Sequence, residues 1–228
     1  MRPELRRAAR HLAGSLLDAA WAWIGSAGAI GPDDRRARRF FHVGRATLIG
    51  FPPGSLLNTG SISIGDETLI SPFVTLAVGM PGERIPPERN PVVRIGSRCS
   101  IGRGNSIVAR CGVVIEDDVT TAPNVYITDH NHNYEDPEVP IARQWPAEAA
   151  VRVGAGSWLG TGAVILPGAD IGRNVTVAAG AVVRGVVPDR CVVAGAPARV
   201  VRRFEPGEGW VPPLPPRSVT PPSGFVAR

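Results

Sequence analysis

From Val153 onward an aliphatic residue recurs at every sixth position: Val153, Leu159, Ile165, Ile171, Val177 and Val183. Glycine follows it directly at Gly154, Gly160 and Gly172, and a small or branched residue stands four positions on, at Ser157, Ala163, Ala169, Val175 and Ala181. The same frame runs earlier through Ile64 and Ile70, through Ile95, Ile101 and Ile107, and through Ile115 and Ile127, with Thr121 in the slot between the last two. A period of six matches neither the helical repeat nor the alternation of a long strand. It matches short strands that each end in a corner, three to a coil of about 18 residues. The aliphatic residue then points into a triangular prism and stacks on its counterpart about 4.8 Å away in the next coil. Glycine after it eases the corner, where a positive φ suits glycine. A β-sandwich would space its strands about 8–12 residues apart, and this sequence does not.

Three stretches break the frame: residues 77–92, which are rich in proline, Val113 and Val114, and residues 131–150. Long loops in a compact domain are usually functional, and these must leave the prism and fold over its side. Ahead of the frame, residues 3–24 read as an amphipathic helix closed by Gly25, with Leu5, Leu12, Leu16, Ala20 and Trp23 near one stripe and Arg2, Arg6, Arg7 and Arg10 in its first half. Two readings stand for it: packing on the prism or on a partner subunit, or peripheral contact of residues 1–24 with a membrane surface. From Glu205 the chain is proline-rich and reads as an extended tail. The expected division is a helix and linker over 1–42, the repeat domain over 43–204 and the tail over 205–228.

The net charge of +5 rests on 25 arginines and no lysine. They alternate with acids along most of the chain and form no basic stripe interleaved with aromatics, so nucleic acid is not an expected partner. No apolar run is long enough to span a bilayer and the N-terminus lacks the pattern of a signal peptide, so the expected compartment is cytoplasmic. Cys99, Cys111 and Cys191 lack Cys-x-x-Cys spacing and read as buried thiols.

Ile127 lies in frame and points inward, so His130, three positions later, faces outward where the longer loop departs. An imidazole titrates near neutrality and suits general-base work on an alcohol. His132 is the alternative base. The two histidines also have the look of half a metal site, but zinc needs further ligands and His11 and His42 are far away in sequence, so no metal is expected. Asp129, Glu135 and Asp136 are all near enough in sequence to orient the base, and the choice among them stays open.

The segment WLGTGAVILPGADIGRNVTVAAGAVVRGVVPDRCVVAGAPARVVRR, Trp158 to Arg203, with APNVYITDHNHNYEDPEVPI upstream, resembles the hexapeptide-repeat acetyltransferases: the galactoside and maltose O-acetyltransferases and their polysaccharide-modifying relatives. The resemblance covers roughly residues 93–204. It implies an all-β fold, a left-handed parallel β-helix, and a homotrimer with three sites between subunits that moves an acetyl group from acetyl-CoA to a hydroxyl. It places the base at His130 and the oxyanion amide at Thr161, with CoA contacts from Trp158, Thr161, Ala179, Arg184, Arg199 and Arg202. Guanidinium groups near the end suit the phosphates of CoA. Packing on a coil face is the competing role for Trp158, and a solvated or trimer-interface role competes for Arg199 and Arg202. The helical segment that precedes the family's repeats is replaced here by different sequence. The family's acceptor-binding asparagine and aspartate have no secure match, and Asn105 is a loose candidate. Acceptor-side candidates are Asn105, Asn124, Asp129 and His132, with a loop-holding role as the alternative for Asn124. The proline-rich loop points to a larger acceptor, a polysaccharide or glycolipid precursor. The rival readings are a small non-sugar acceptor, such as an antibiotic, and a catalytically silent β-helix scaffold.

Overall fold

The computed structural model describes residues 3–86, 88 and 91–213, with side chains from Arg10 onward. Short parallel strands wind into a β-helix with three faces. Face one is built from Ile62–Ile64, Val93–Ile95, Val113–Ile115, Val151–Val153, Asp170–Ile171 and Val186–Val187, begun by His42–Val43. Face two runs from Leu48–Ile49 through Leu69–Ile70, Ser100–Ile101, Thr120–Thr121, Trp158–Leu159 and Thr176–Val177 to Cys191–Ala194. Face three runs from Leu56–Leu57 through Thr75–Val78, Ser106–Ala109, Tyr126–Thr128 and Val164–Ile165 to Val182–Val183.

The six-residue frame becomes three stacks in the prism. Ile64, Ile95, Ile115, Val153 and Ile171 pair in register on face one, Ile107, Ile127, Ile165 and Val183 on face three. All are buried, and each such side chain contributes about 1.5–3 kcal/mol through removal from water. Thr121 fills its slot on face two without a polar penalty. Its hydroxyl accepts the Gly102 N–H at 2.8 Å and the side-chain amide of Asn105.

The glycines act differently from the expectation. Gly154, Gly160 and Gly172 do not have positive φ. They are needed for space, since a Cβ on Gly154 would sit 2.5 Å from the Gly172 carbonyl carbon and one on Gly160 2.6 Å from the Ala179 nitrogen. The positive φ falls two residues later, at Gly156, Gly162 and Asn174.

All three interruptions leave from the same edge, the corner between faces three and one, on consecutive coils. The small one lies at residues 110–112, since Val113 and Val114 belong to a regular strand. The longest carries a short antiparallel ladder, His130–Asn131 against Ala147–Glu148, and a turn of 3-10 helix at Ile141–Arg143.

The N-terminal helix spans Pro3–Gly28. It runs past Gly25 because an isolated glycine is tolerated inside a helix, and it ends where Gly28 meets the ring of Phe51. Its apolar stripe does not pack on the prism: Leu12, Leu16 and Trp23 are exposed, Trp23 by 71%, and so are Leu17 and Trp21 on the opposite side. Glu205 does not begin an extended tail. Arg199–Glu205 turns back antiparallel on Cys191–Ala194, and Gly209–Val211 pairs with it in turn, with Trp210 edge-on to Phe204. Residues 214–228 of the expected tail lie outside the described residues.

Candidate active site

Asp129 follows the inward residues of Tyr126–Thr128 and is fully buried. Its carboxylate is held by the short insertion at residues 110–112, one coil earlier. The backbone N–H groups of Arg110, Cys111 and Gly112 donate to it at 2.8, 2.8 and 2.6 Å. Cys111 and Gly112 meet Oδ2, while Oδ1, which takes the 2.8 Å bond from Arg110, also lies 3.0 Å from His130 Nδ1. An ionised carboxylate only accepts, so the ring proton sits on Nδ1 and the Nε2 lone pair is left for chemistry. The Thr128 hydroxyl donates to the His130 carbonyl at 3.0 Å and fixes the backbone there. The His130 side chain keeps 22% exposure and opens on a cleft of about 630 Å³ that His132, Met80, Glu83, Arg110 and Trp145 also line. Of the three carboxylates near in sequence, Asp129 touches the ring, while Glu135 and Asp136 are exposed on the excursion.

Asn105 is not on this surface. It is buried in the prism, where its side-chain oxygen accepts the Val125 N–H at 2.8 Å and its amide donates to Thr121. Asn124 is an exposed corner residue with a φ of 60°. Asp129 is sealed from an acceptor by its burial, and its carboxylate meets His130 Nδ1 instead. Of the acceptor-side candidates, His132 is the one that shares the cleft with His130.

The donor-side candidates divide. Trp158 points outward from face two, between Thr120 and Thr176 on the adjacent rungs. Thr161 and Ala179 follow on the corner between faces two and three, both exposed. The Thr161 N–H meets no protein acceptor among the described residues. Register places Pro123, which has no N–H, at the same corner one coil earlier. Arg202 pairs with Val192, which pairs with Thr176, so it lies three rungs from Trp158 on the same ladder, about 14 Å at the spacing of adjacent strands. Arg199 is exposed on the same terminal hairpin. Arg184 is elsewhere, in a hollow with Asn131 and Glu148 beside the face-three-to-one corner. His130 and Thr161 stand at opposite edges of face three, so one chain does not bring base and amide together.

Cys99 and Cys191 are buried thiols, and burial pushes Cys99 up to about 11. Cys111 differs from the expectation in being half-buried against the Asp129 loop. Among the described residues, no three histidines, cysteines or carboxylates stand together as metal ligands.

Comparison with known proteins agrees with this architecture. The family "Bacterial transferase hexapeptide (six repeats)" matches residues 150–185, and "Hexapeptide repeat of succinyl-transferase" matches residues 92–129. A probable acetyltransferase of Mycobacterium tuberculosis is 37% identical over 48% of this chain and 37% of its own length. The putative lipopolysaccharide biosynthesis O-acetyl transferase WbbJ of Escherichia coli is 31% identical over 67% of this chain and 76% of its own. The galactoside O-acetyltransferase of Escherichia coli is 35% identical over 48% and 56%. In fold, the chain is similar to AntD, an N-acyltransferase from Bacillus cereus solved with a dTDP-linked amino sugar and coenzyme A, with a TM-score of 0.64 at 22% identity over 76% of this chain and 89% of that one. The stacked repeats, the two matched segments and the extent of the likeness to WbbJ agree: the chain belongs to the hexapeptide-repeat acetyltransferase family.

Proposed function

We propose that the chain is a CoA-dependent O-acetyltransferase with left-handed coils, which moves an acetyl group from acetyl-CoA to a hydroxyl of a saccharide, polysaccharide or glycolipid precursor. The observation that carries this reading is the buried Asp129 carboxylate bound to His130 Nδ1 at the mouth of a cleft, in a chain of this family. His130 Nε2 takes the acceptor's hydroxyl proton as its oxygen attacks the thioester carbonyl. The amide of Thr161 on a neighbouring copy hydrogen-bonds the oxyanion. When the carbon–sulfur bond breaks, the imidazolium returns the proton to the thiolate, leaving an acetyl ester and free CoA. The thioester is already activated, so proton handling and oxyanion stabilisation are the parts the protein supplies. The corner from Trp158 to Thr161 and Ala179, with Arg199 and Arg202 beyond, fits an extended donor with an anionic end. The test is release of free thiol from acetyl-CoA against a panel of mono- and oligosaccharides, and no release with any of them sinks the reading.

A trimer is supported by the outward ladders. Leu69, Ser100, Thr120, Trp158, Thr176 and Val192 on face two, up to Arg202 on the next rung, and Ser106, Tyr126, Val164 and Val182 on face three, are uncharged, whereas face one carries Arg94, Arg152 and Asp170 along its middle rungs. Light scattering at micromolar concentration is expected to give three times the chain mass, and a stable monomer would remove the inter-subunit site.

The exposed stripe of the N-terminal helix, with Leu12, Leu16 and Trp23 on one side and Arg10 near its start, supports a peripheral seat on an anionic bilayer. Such a seat would bring the cleft to lipid-linked acceptors. The full chain is expected to co-sediment with phosphatidylglycerol vesicles and not with phosphatidylcholine vesicles. Deletion of residues 1–24 is expected to abolish this and leave the β-helix folded. A full chain that never co-sediments leaves the helix to a partner subunit.

A further inference from the structure

We propose that the cleft between the two long insertions is the acceptor subsite, that it seats a neutral pyranoside ring against the indole of Trp145, and that Arg110 is the positioning residue that holds this indole. This rests on the acetyl-transfer reading above and deepens it to a class of acceptor and the residues that select it.

Arg110 comes from the short insertion at residues 110–112, and its side chain is 7% exposed. Its guanidinium reaches both long loops at once. Nε donates to Glu148 at 2.9 Å on the longer excursion, and Nη1 donates to Glu83 at 3.3 Å on the proline-rich loop. The Glu148 bond and the nearby Glu83 hold the guanidinium above its ordinary range. The same guanidinium lies 4.9 Å from the centre of the Trp145 ring, a cation–π contact that fixes the plane of the indole. Trp145 is nonetheless 72% exposed. Three separate departures from the prism therefore converge on one cation, and what they hold up is an uncovered aromatic surface in the cleft that contains His130.

An indole held still and left open is suited to the apolar face of a sugar ring, which offers C–H groups on one side and hydroxyls around its rim. The size agrees, since about 630 Å³ is in the range of a small-molecule site. Charge selects further. The Arg110 cation is shared by two carboxylates, Glu83 and Glu148, and Arg143 lines the same cleft, so the formal charges of these four groups cancel and the wall offers no net charge of one sign to select a phosphate or an amine. A ring seated on Trp145 keeps its rim hydroxyls within the space shared with His130 and His132.

The test takes a saccharide that the wild-type protein acetylates and compares Trp145→Ala, Trp145→Phe and Arg110→Gln. Trp145→Ala is expected to raise the acceptor KM roughly tenfold or more, with kcat within about twofold and the acetyl-CoA KM unchanged. Trp145→Phe should recover most of this loss, because the apolar surface returns. Arg110→Gln should raise the acceptor KM in the same way without moving the pH profile of kcat, which reports the base. An acceptor KM unmoved by Trp145→Ala, or a Phe variant no better than the Ala variant, overturns the subsite while acetyl transfer stands. A wild-type protein that prefers a sugar phosphate overturns the neutral acceptor. Thiol release with no saccharide at all overturns acetyl transfer to sugars and the subsite with it.

Discussion

His130→Ala is expected to lower turnover by about 10²–10⁴-fold, the range a positioned general base contributes. Affinity for CoA should survive, because the proposed role of His130 is to take the acceptor's proton and not to anchor the donor. Melting temperature should change little, since the imidazole is partly exposed and fills no core volume. His132→Ala should be milder. His132 shares the cleft, but no carboxylate holds its ring among the described contacts. Turnover, CoA affinity and Tm of both variants decide the matter. Near-wild-type turnover in His130→Ala with a dead His132→Ala transfers the role to His132. Full activity in both removes the base from the mechanism and favours a silent scaffold.

Asp129 gives the second large effect, and two substitutions separate its two tasks. Asp129→Ala leaves three backbone N–H groups facing an empty space in the protein. At about 1–3 kcal/mol for each buried donor left unpaired, a loss of roughly 3–9 kcal/mol is expected, read as a Tm lower by about 10 °C or more. Asp129→Asn keeps the shape. If its amide oxygen turns to the three donors, its NH₂ faces His130 Nδ1. The ring must then accept at Nδ1 and carry its proton on Nε2, the wrong tautomer for a base. This variant is expected to melt close to wild type and to lose turnover by about 10²-fold or more. An Asp129→Asn protein with wild-type turnover would show that Asp129 only braces the loop.

Much of the prism could be read from the sequence because one period sets strand, corner and stack together. The same frame already held the correction to Asn105. It stands four positions after Ile101, in the slot that Ser157 takes after Val153 and Ala163 after Leu159, and that slot points inward. His130 was legible from its phase relative to Ile127. The carboxylate behind it was not, because its partners are backbone groups of an insertion 17–19 residues earlier and backbone donors leave no signature in side-chain identity. Arg110 and Trp145 went unnoticed for a related reason. Their contact joins two departures from the repeat, and a periodic frame says nothing about residues that leave it. The sequence pattern ends the N-terminal helix at Gly25, whereas it runs to Gly28, where the Arg36 guanidinium donates to the carbonyls of Ala27, Gly28 and Ala29, a tertiary contact that helical periodicity does not show.

That all the departures share one edge has a consequence for how such a molecule changes over time. Registry between coils is kept by strands and tight corners on the other two edges, so the length and composition of the third edge can drift without shifting a single stacked side chain. Insertions there lie one above another and touch by default, whatever their sequence. A chain built this way can lengthen, shorten or exchange either long loop while the short insertion at 110–112 keeps Asp129 and His130 in place, and a graft of residues 79–92 or 132–146 from one relative to another disturbs no rung of the ladder.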